Sequence, residues 1–139
     1  NATTGGTYNG WDRMFRGKFD TAIREFQNVF YQTAMASCPS FTNQHQLLVR
    51  GSVEPTDSLT VEALYGHFWL DEPWSENGGI APENKKINVG DEFDLQLTWD
   101  YTEDVQFGLL AAWFFPGDHF IGGQDDTATD VVTSVKLSF

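Results

Sequence analysis

Between Glu92 and Tyr101 the chain alternates without an error: Phe93, Leu95, Leu97, Trp99 and Tyr101 are apolar, while Glu92, Asp94, Gln96, Thr98 and Asp100 are polar. Successive side chains of a strand point to opposite faces, so this period of two predicts a strand with one dry face and one wet face. The same period runs through Val105, Phe107, Leu109, Ala111, Trp113 and Phe115, and again through Val131, Thr133, Val135, Leu137 and Phe139. Earlier it runs through Leu47, Val49, Gly51 and Val53, then Leu59, Val61, Ala63, Tyr65 and Trp69. Five strands are predicted, at about 45–54, 58–70, 91–101, 105–115 and 130–139. Pro55-Thr56-Asp57 and Thr102-Glu103-Asp104 read as tight polar turns, whereas the Gly- and Pro-bearing stretches at about 71–90 and 116–129 read as long loops. Short turns at one end and long loops at the other make an antiparallel meander with one elaborated end.

Residues 1–44 follow a different rule. Phe19, Ile23, Phe26 and Phe30 recur at spacings of four, three and four, which is helical, and Asp20 can cap the start. Val29, Phe30 and Tyr31 are poor helix formers, so a short helix over 20–34 and an irregular strand both stay open. Pro39 ends the segment.

Running the strands up and down sorts the dry face by height. Tyr65, Trp69, Phe93, Trp113 and Phe115 fall near the long loops, while Trp99, Tyr101, Phe107 and Phe139 fall near the tight turns. Aliphatic residues such as Val61, Leu95, Leu97 and Leu109 lie between. Two aromatic girdles around an aliphatic belt are the exterior of a membrane barrel, where rings sit at the headgroup levels. The predicted fold class is therefore all-β: an antiparallel meander forming part of a transmembrane outer-membrane β-barrel, preceded by the loop segment 1–44. A soluble β-sandwich also alternates, but predicts neither paired bands nor tight turns confined to one end.

Composition narrows the function. The 139 residues carry 20 acidic and 8 basic side chains, a net charge of −12, which leaves no Lys/Arg patch for nucleic acid or a polybasic membrane tether. One cysteine, Cys38, builds neither an internal disulfide nor a zinc site. No apolar run approaches the length of a spanning helix, and residues 1–10 lack the cationic start and apolar run of a signal peptide. At 40% hydrophobic and 15% aromatic, the chain has too much apolar surface to stay disordered.

Two sets of motifs add a resemblance. One comprises Val89-Gly90-Asp91-Glu92-Phe93-Asp94-Leu95, Tyr101-Thr102-Glu103-Asp104 and Trp113-Phe114-Phe115-Pro116-Gly117-Asp118. The other is Val53-Glu54-Pro55-Thr56-Asp57 followed by His67-Phe68-Trp69-Leu70. Together they resemble the C-terminal end of the alginate-export-type outer-membrane porins, over about residues 43–139 and more weakly at Trp11 to Phe15, with residues 16–44 departing from the matched motifs. The resemblance implies a Gram-negative outer membrane, contact with its lipid and lipopolysaccharide, and a terminal Phe139 read by the barrel-assembly machinery. It also implies more strands than five, and physics concurs, since single-chain barrels of this kind begin at about eight strands. The expectation is a C-terminal part of a longer chain, with the remaining strands of the same barrel as partners and residues 1–44 as an extracellular loop.

In such a barrel the wet face lines the lumen. Arg50, Glu62, Asp94, Gln96, Asp100 and Lys136 are the lumen-facing candidates, with Ser52, Glu54, Thr60, Thr98, Gln106 and Ser134 alongside. Keeping the first hairpin in phase suggests that Arg50 stands opposite Glu62. Asp71, Glu72, Glu76, Glu83, Asp91, Asp118, Asp125 and Asp126 are assigned to the outer loops as solvated charge, since no calcium loop can be read there. His45, His67 and His119 lie far apart without metal-ligand spacing, and no nucleophile elbow, phosphate loop or cofactor motif is present. An enzyme, a metal and a cofactor are not expected. The expected function is an outer-membrane porin or export channel for polar or anionic solutes, although lumen cations are few for a polyanion. The rival readings are a barrel scaffold sheathing a partner such as a cytochrome, and a soluble acidic β-sandwich that binds glycans.

Overall fold

The computed structural model describes residues 21–23, 44–71, 86–120 and 125–139. The helix considered at 20–34 lies outside these residues except for 21–23, as does most of the 1–44 segment. The described chain is an all-β antiparallel meander of five strands: β1 (Gln44–Thr56), β2 (Leu59–Leu70), β3 (Asn88–Asp100), β4 (Val105–Pro116) and β5 (Ala128–Leu137). They form one sheet in the order β1-β2-β3-β4-β5, so each strand pairs with its sequence neighbours and β1 and β5 are the edges. Among the described residues there is no helix.

The first hairpin corrects one expectation. Arg50 stands opposite Leu64, and it is Ser52 that faces Glu62. The turn is tighter than the sequence suggested, with Thr56 opposite Leu59, and an irregularity between Val53 and Thr56 restores the phase so that Val53 meets Val61. Pro55 lies in that irregularity, where its missing N–H removes nothing from the ladder. The phase is as expected, odd positions opposite odd, but the register is displaced by two residues.

A second irregularity re-aims the loop end of β3. Phe68 pairs with Gly90, but Trp69 pairs with Asn88, so Val89 is an extra residue and is fully buried. Gly90 takes φ = 136°, and a Cβ there would collide with the carbonyl oxygen of Phe115. Only glycine lets the two backbones close here. The ladder then continues past β4, with Gly117 N–H donating to Val89 O (2.8 Å) and His119 N–H to Asn88 O (2.9 Å). Because β3 begins at Asn88, Asp91 belongs to the strand and not to the outer loop to which the sequence assigned it.

Burial falls on the face opposite to the one the hydrophobic pattern favours. The buried cluster is Ile23, Phe68, Leu70, Val89, Ala112 and Phe114, with Ala22, Leu48, Phe120 and Ala128 packed against it. The strand members of this cluster, Val89 in its bulge aside, occupy even-numbered positions near the long-loop end. Their odd-numbered neighbours stay open: Phe114 is 2% exposed and Phe115 is 48% exposed.

Candidate functional site

The pairing registers align side chains into rows across the sheet. On the even-numbered face, starting from the tight turns, the rows read Asp100-Gln106-Lys136, Thr60-Thr98-Gly108-Ser134 and Ser52-Glu62-Gln96-Leu110-Val132. Above them come Arg50-Leu64-Asp94-Ala112-Asp130 and Leu48-Gly66-Glu92-Phe114-Ala128. Arg50, Glu62, Asp94, Gln96, Asp100 and Lys136 therefore share one face, as their common parity requires. Asp100 Oδ1 accepts a hydrogen bond from Gln106 Nε2 at 2.7 Å. Lys136 stands next in that row, and Arg50 shares a row with Asp94 instead of pairing with Glu62.

The even face has two halves. Near the tight turns it is polar and open to solvent. Near the long loops it is apolar and covered by residues 21–23. There Ile23 N–H donates to Glu92 Oε1 at 2.6 Å, and Ala22 N–H donates to Asp94 Oδ2 at 3.0 Å. Glu92 is fully buried and Asp94 is 7% exposed. A carboxylate removed from water needs donors to replace the lost hydration, and backbone N–H groups serve that role here. Sequence reasoning missed Glu92, because alternation says only which face a residue occupies. The signal for a covered face was present in His67-Phe68-Trp69-Leu70 and Trp113-Phe114-Phe115, where alternation gives way to apolar residues at both parities.

The odd-numbered face carries the aromatic candidates. Its rows include Val49-Tyr65-Phe93-Trp113-Thr129, Gly51-Ala63-Leu95-Ala111-Val131, Val53-Val61-Leu97-Leu109-Thr133 and Leu59-Trp99-Phe107-Val135. Near the loops Phe93 stacks on Trp113 with ring centroids 6.1 Å apart. Near the turns Trp99, Tyr101 and Phe107 form a triangle with centroid separations of 5.3, 5.8 and 6.1 Å. Phe115 lies one row beyond Trp113, and Phe139 lies exposed past the end of β5. Among the described residues, every large hydrophobic side chain left exposed sits at an odd position except Val132. Exposure on that scale and on one face marks a surface meant for an apolar surrounding.

At the loop end of this face the fold assembles a polar aromatic group from distant parts of the chain. Trp69 is stacked between His45 (5.6 Å) and His67 (5.4 Å). Asp91 Oδ1 accepts from the Tyr65 hydroxyl at 2.5 Å and lies 2.9 Å from His67 Nδ1. His45 Nε2 reaches Asp71 at 3.5 Å. The two histidines, 22 positions apart in sequence, meet through the β1–β2 register, and His119 lies apart with its Nδ1 3.1 Å from Lys86 O. No three His, Cys, Asp or Glu side chains among the described residues converge as metal ligands would.

With this geometry in hand, comparison with known proteins adds one finding. A family profile described as alginate export matches residues 9–134. No curated protein and no solved structure gives a match.

Proposed function

The chain belongs to the alginate export family of outer-membrane channels, and on that premise we propose that its sheet is an arc of a barrel wall through which polar or anionic solutes pass. The odd-numbered face would meet lipid and the even-numbered face the lumen. One observation carries the proposal: the exposed large apolar side chains, Val132 apart, lie on the odd face, with aromatic bands at two heights and an aliphatic belt between.

The dimensions support it. The strands are 10 to 13 residues long, against the roughly 9–11 that a tilted strand needs to cross a bilayer. From the Phe93 row to the Trp99 row is about 20 Å along the strand, or about 15 Å in height at a tilt of ~40°. Counting outward to Phe115 and Tyr101 brings the apolar band close to the ~25 Å of outer-membrane barrels. An edge left open in hydrocarbon would leave backbone groups unpaired at several kcal/mol each, so β1 and β5 require further strands beside them. The remaining strands of the same barrel are the partners that fit.

Planar-bilayer recording on the full polypeptide tests the proposal. A channel gives a steady current, and neutralising Glu62 and Asp100 shifts its selectivity toward anions. A barrel that sheathes a partner protein gives no steady current. A chain that stays monodisperse without detergent contradicts the membrane assignment altogether and returns the β-sandwich.

A further inference from the structure

The acidic character of the wet face sits poorly with an anionic solute. Its strand positions hold Glu54, Glu62, Glu92, Asp94, Asp100 and Asp130 against Arg50 and Lys136. The structure divides these acids into two groups. Glu54, Glu62, Asp100 and Asp130 lie on the open part of the face or its edge, whereas Glu92 and Asp94 lie beneath residues 21–23. Both buried carboxylates accept backbone N–H groups from that segment. Ile23 is itself 8% exposed and belongs to the cluster with Phe68, Ala112 and Phe114.

We infer that residues 21–23 are a strap docked on the lumen wall, which narrows the long-loop half of the channel and hides the Glu92–Asp94 pair from passing solute. Two independent features hold it there. The two carboxylates bind successive backbone amides, and the apolar cluster buries Ile23. Neither feature alone explains why a barrel lumen, ordinarily wet, should carry Phe68, Leu70 and Phe114 on its inner face. An apolar inner wall is stable only when polypeptide covers it. With the strap docked, Glu54, Glu62, Asp100 and Asp130 stand against Arg50 and Lys136, so hiding Glu92 and Asp94 lowers the acidic excess of the exposed wall from four to two. With the strap released, two further negative charges line the path, and cations are favoured.

The inference rests on the channel assignment, and the test separates the two. In the full polypeptide carrying Cys38→Ser, single cysteines are placed at Ala112 under the strap, at Ser134 on the open even face and at Leu109 on the odd face. A membrane-impermeant thiol reagent is applied to the protein in liposomes. Ser134→Cys should react, and Ala112→Cys and Leu109→Cys should be protected. Adding Ile23→Asn, which sets an amide against the apolar cluster, should raise labelling of Ala112→Cys to the Ser134→Cys rate and leave Leu109→Cys protected. In bilayers the same Ile23→Asn change should raise conductance and shift the reversal potential toward cation preference. Combining it with Glu92→Gln and Asp94→Asn should keep the conductance gain and abolish the shift. Heat-modifiable electrophoretic mobility confirms that each variant is folded. The strap is overturned if Ala112→Cys reacts as fast as Ser134→Cys in the parent, or if Ile23→Asn leaves both conductance and reversal potential unchanged. Equal labelling of Leu109→Cys and Ser134→Cys would instead sink the barrel itself.

Discussion

Leu109 separates a membrane wall from a soluble sheet by a measurable free energy. It stands on the odd face, 39% exposed, in the row of Val61 and Leu97. Phe107 lies two residues below it and Trp113 four above. At ~3.4 Å per residue and a tilt of ~40°, those spacings are about 5 and 10 Å in height, so Leu109 sits within about 3 Å of the plane midway between the bands. An arginine at the midplane of a barrel costs about 2–4 kcal/mol, which lowers the folding equilibrium constant by about 30- to 900-fold. On an ordinary wet surface the same change at an exposed position stays within about 0.5 kcal/mol. Gln96→Arg is the control, since Gln96 is on the even face beside Glu62 and a cation there is well placed. Folding of the full polypeptide into lipid vesicles, titrated with guanidinium, gives both values. Leu109→Arg should be less stable than Gln96→Arg by at least ~2 kcal/mol. Equal stabilities would refute the assignment of the odd face to lipid.

Neighbouring phenylalanines offer a second contrast. Phe114→Ala should cost about 3–5 kcal/mol by leaving a cavity in the covered cluster; Phe115→Ala should cost markedly less, because lipid replaces the ring, and the same guanidinium titration reads both. Gly90→Ala should destabilise by at least about 1–3 kcal/mol, since the backbone conformation is strained for alanine and its Cβ meets the Phe115 carbonyl; an unchanged denaturation midpoint would contradict the close approach of β3 and β4. Tyr65→Phe removes one hydrogen bond to Asp91, and its exposure places the loss near the low end of ~0.5–1.5 kcal/mol. Lipids brominated near the headgroup should quench Trp99 and Trp113, studied one at a time, more strongly than lipids brominated at the chain ends, and the reverse order would remove them from the two girdles.

Alternation made the meander legible because a strand's period is two and each wet or dry face writes itself directly into the sequence. The hairpin register was less legible. A shift of two residues keeps every side chain on its face, so hydrophobicity cannot choose between Arg50 opposite Glu62 and Arg50 opposite Leu64. The turn at Thr56–Leu59 and the irregularity at Pro55 make that choice, and both depend on local backbone geometry. Asp91 was misplaced for a related reason. Nothing in Ile87-Asn88-Val89-Gly90 announces a strand, because its pairing begins with a bulge and a left-handed glycine. The His45-Trp69-His67 stack was equally hidden, being an outcome of register between two strands.

What the sequence determined by itself is the wall: five strands, their antiparallel order, a dry face with aromatic bands and a wet face, together with the family. These follow from periodicities and short motifs that act within one strand or one hairpin. Only the tertiary structure decided where burial falls. It placed the core on the wet face, under residues far away in sequence, with Ile23 bonded to Glu92 across 69 positions. No local pattern can encode that, because the free energy of covering Phe68 and Phe114 belongs to a contact between distant segments. That contact leaves two acids of the wet face buried, each held by a backbone amide of Ala22 or Ile23.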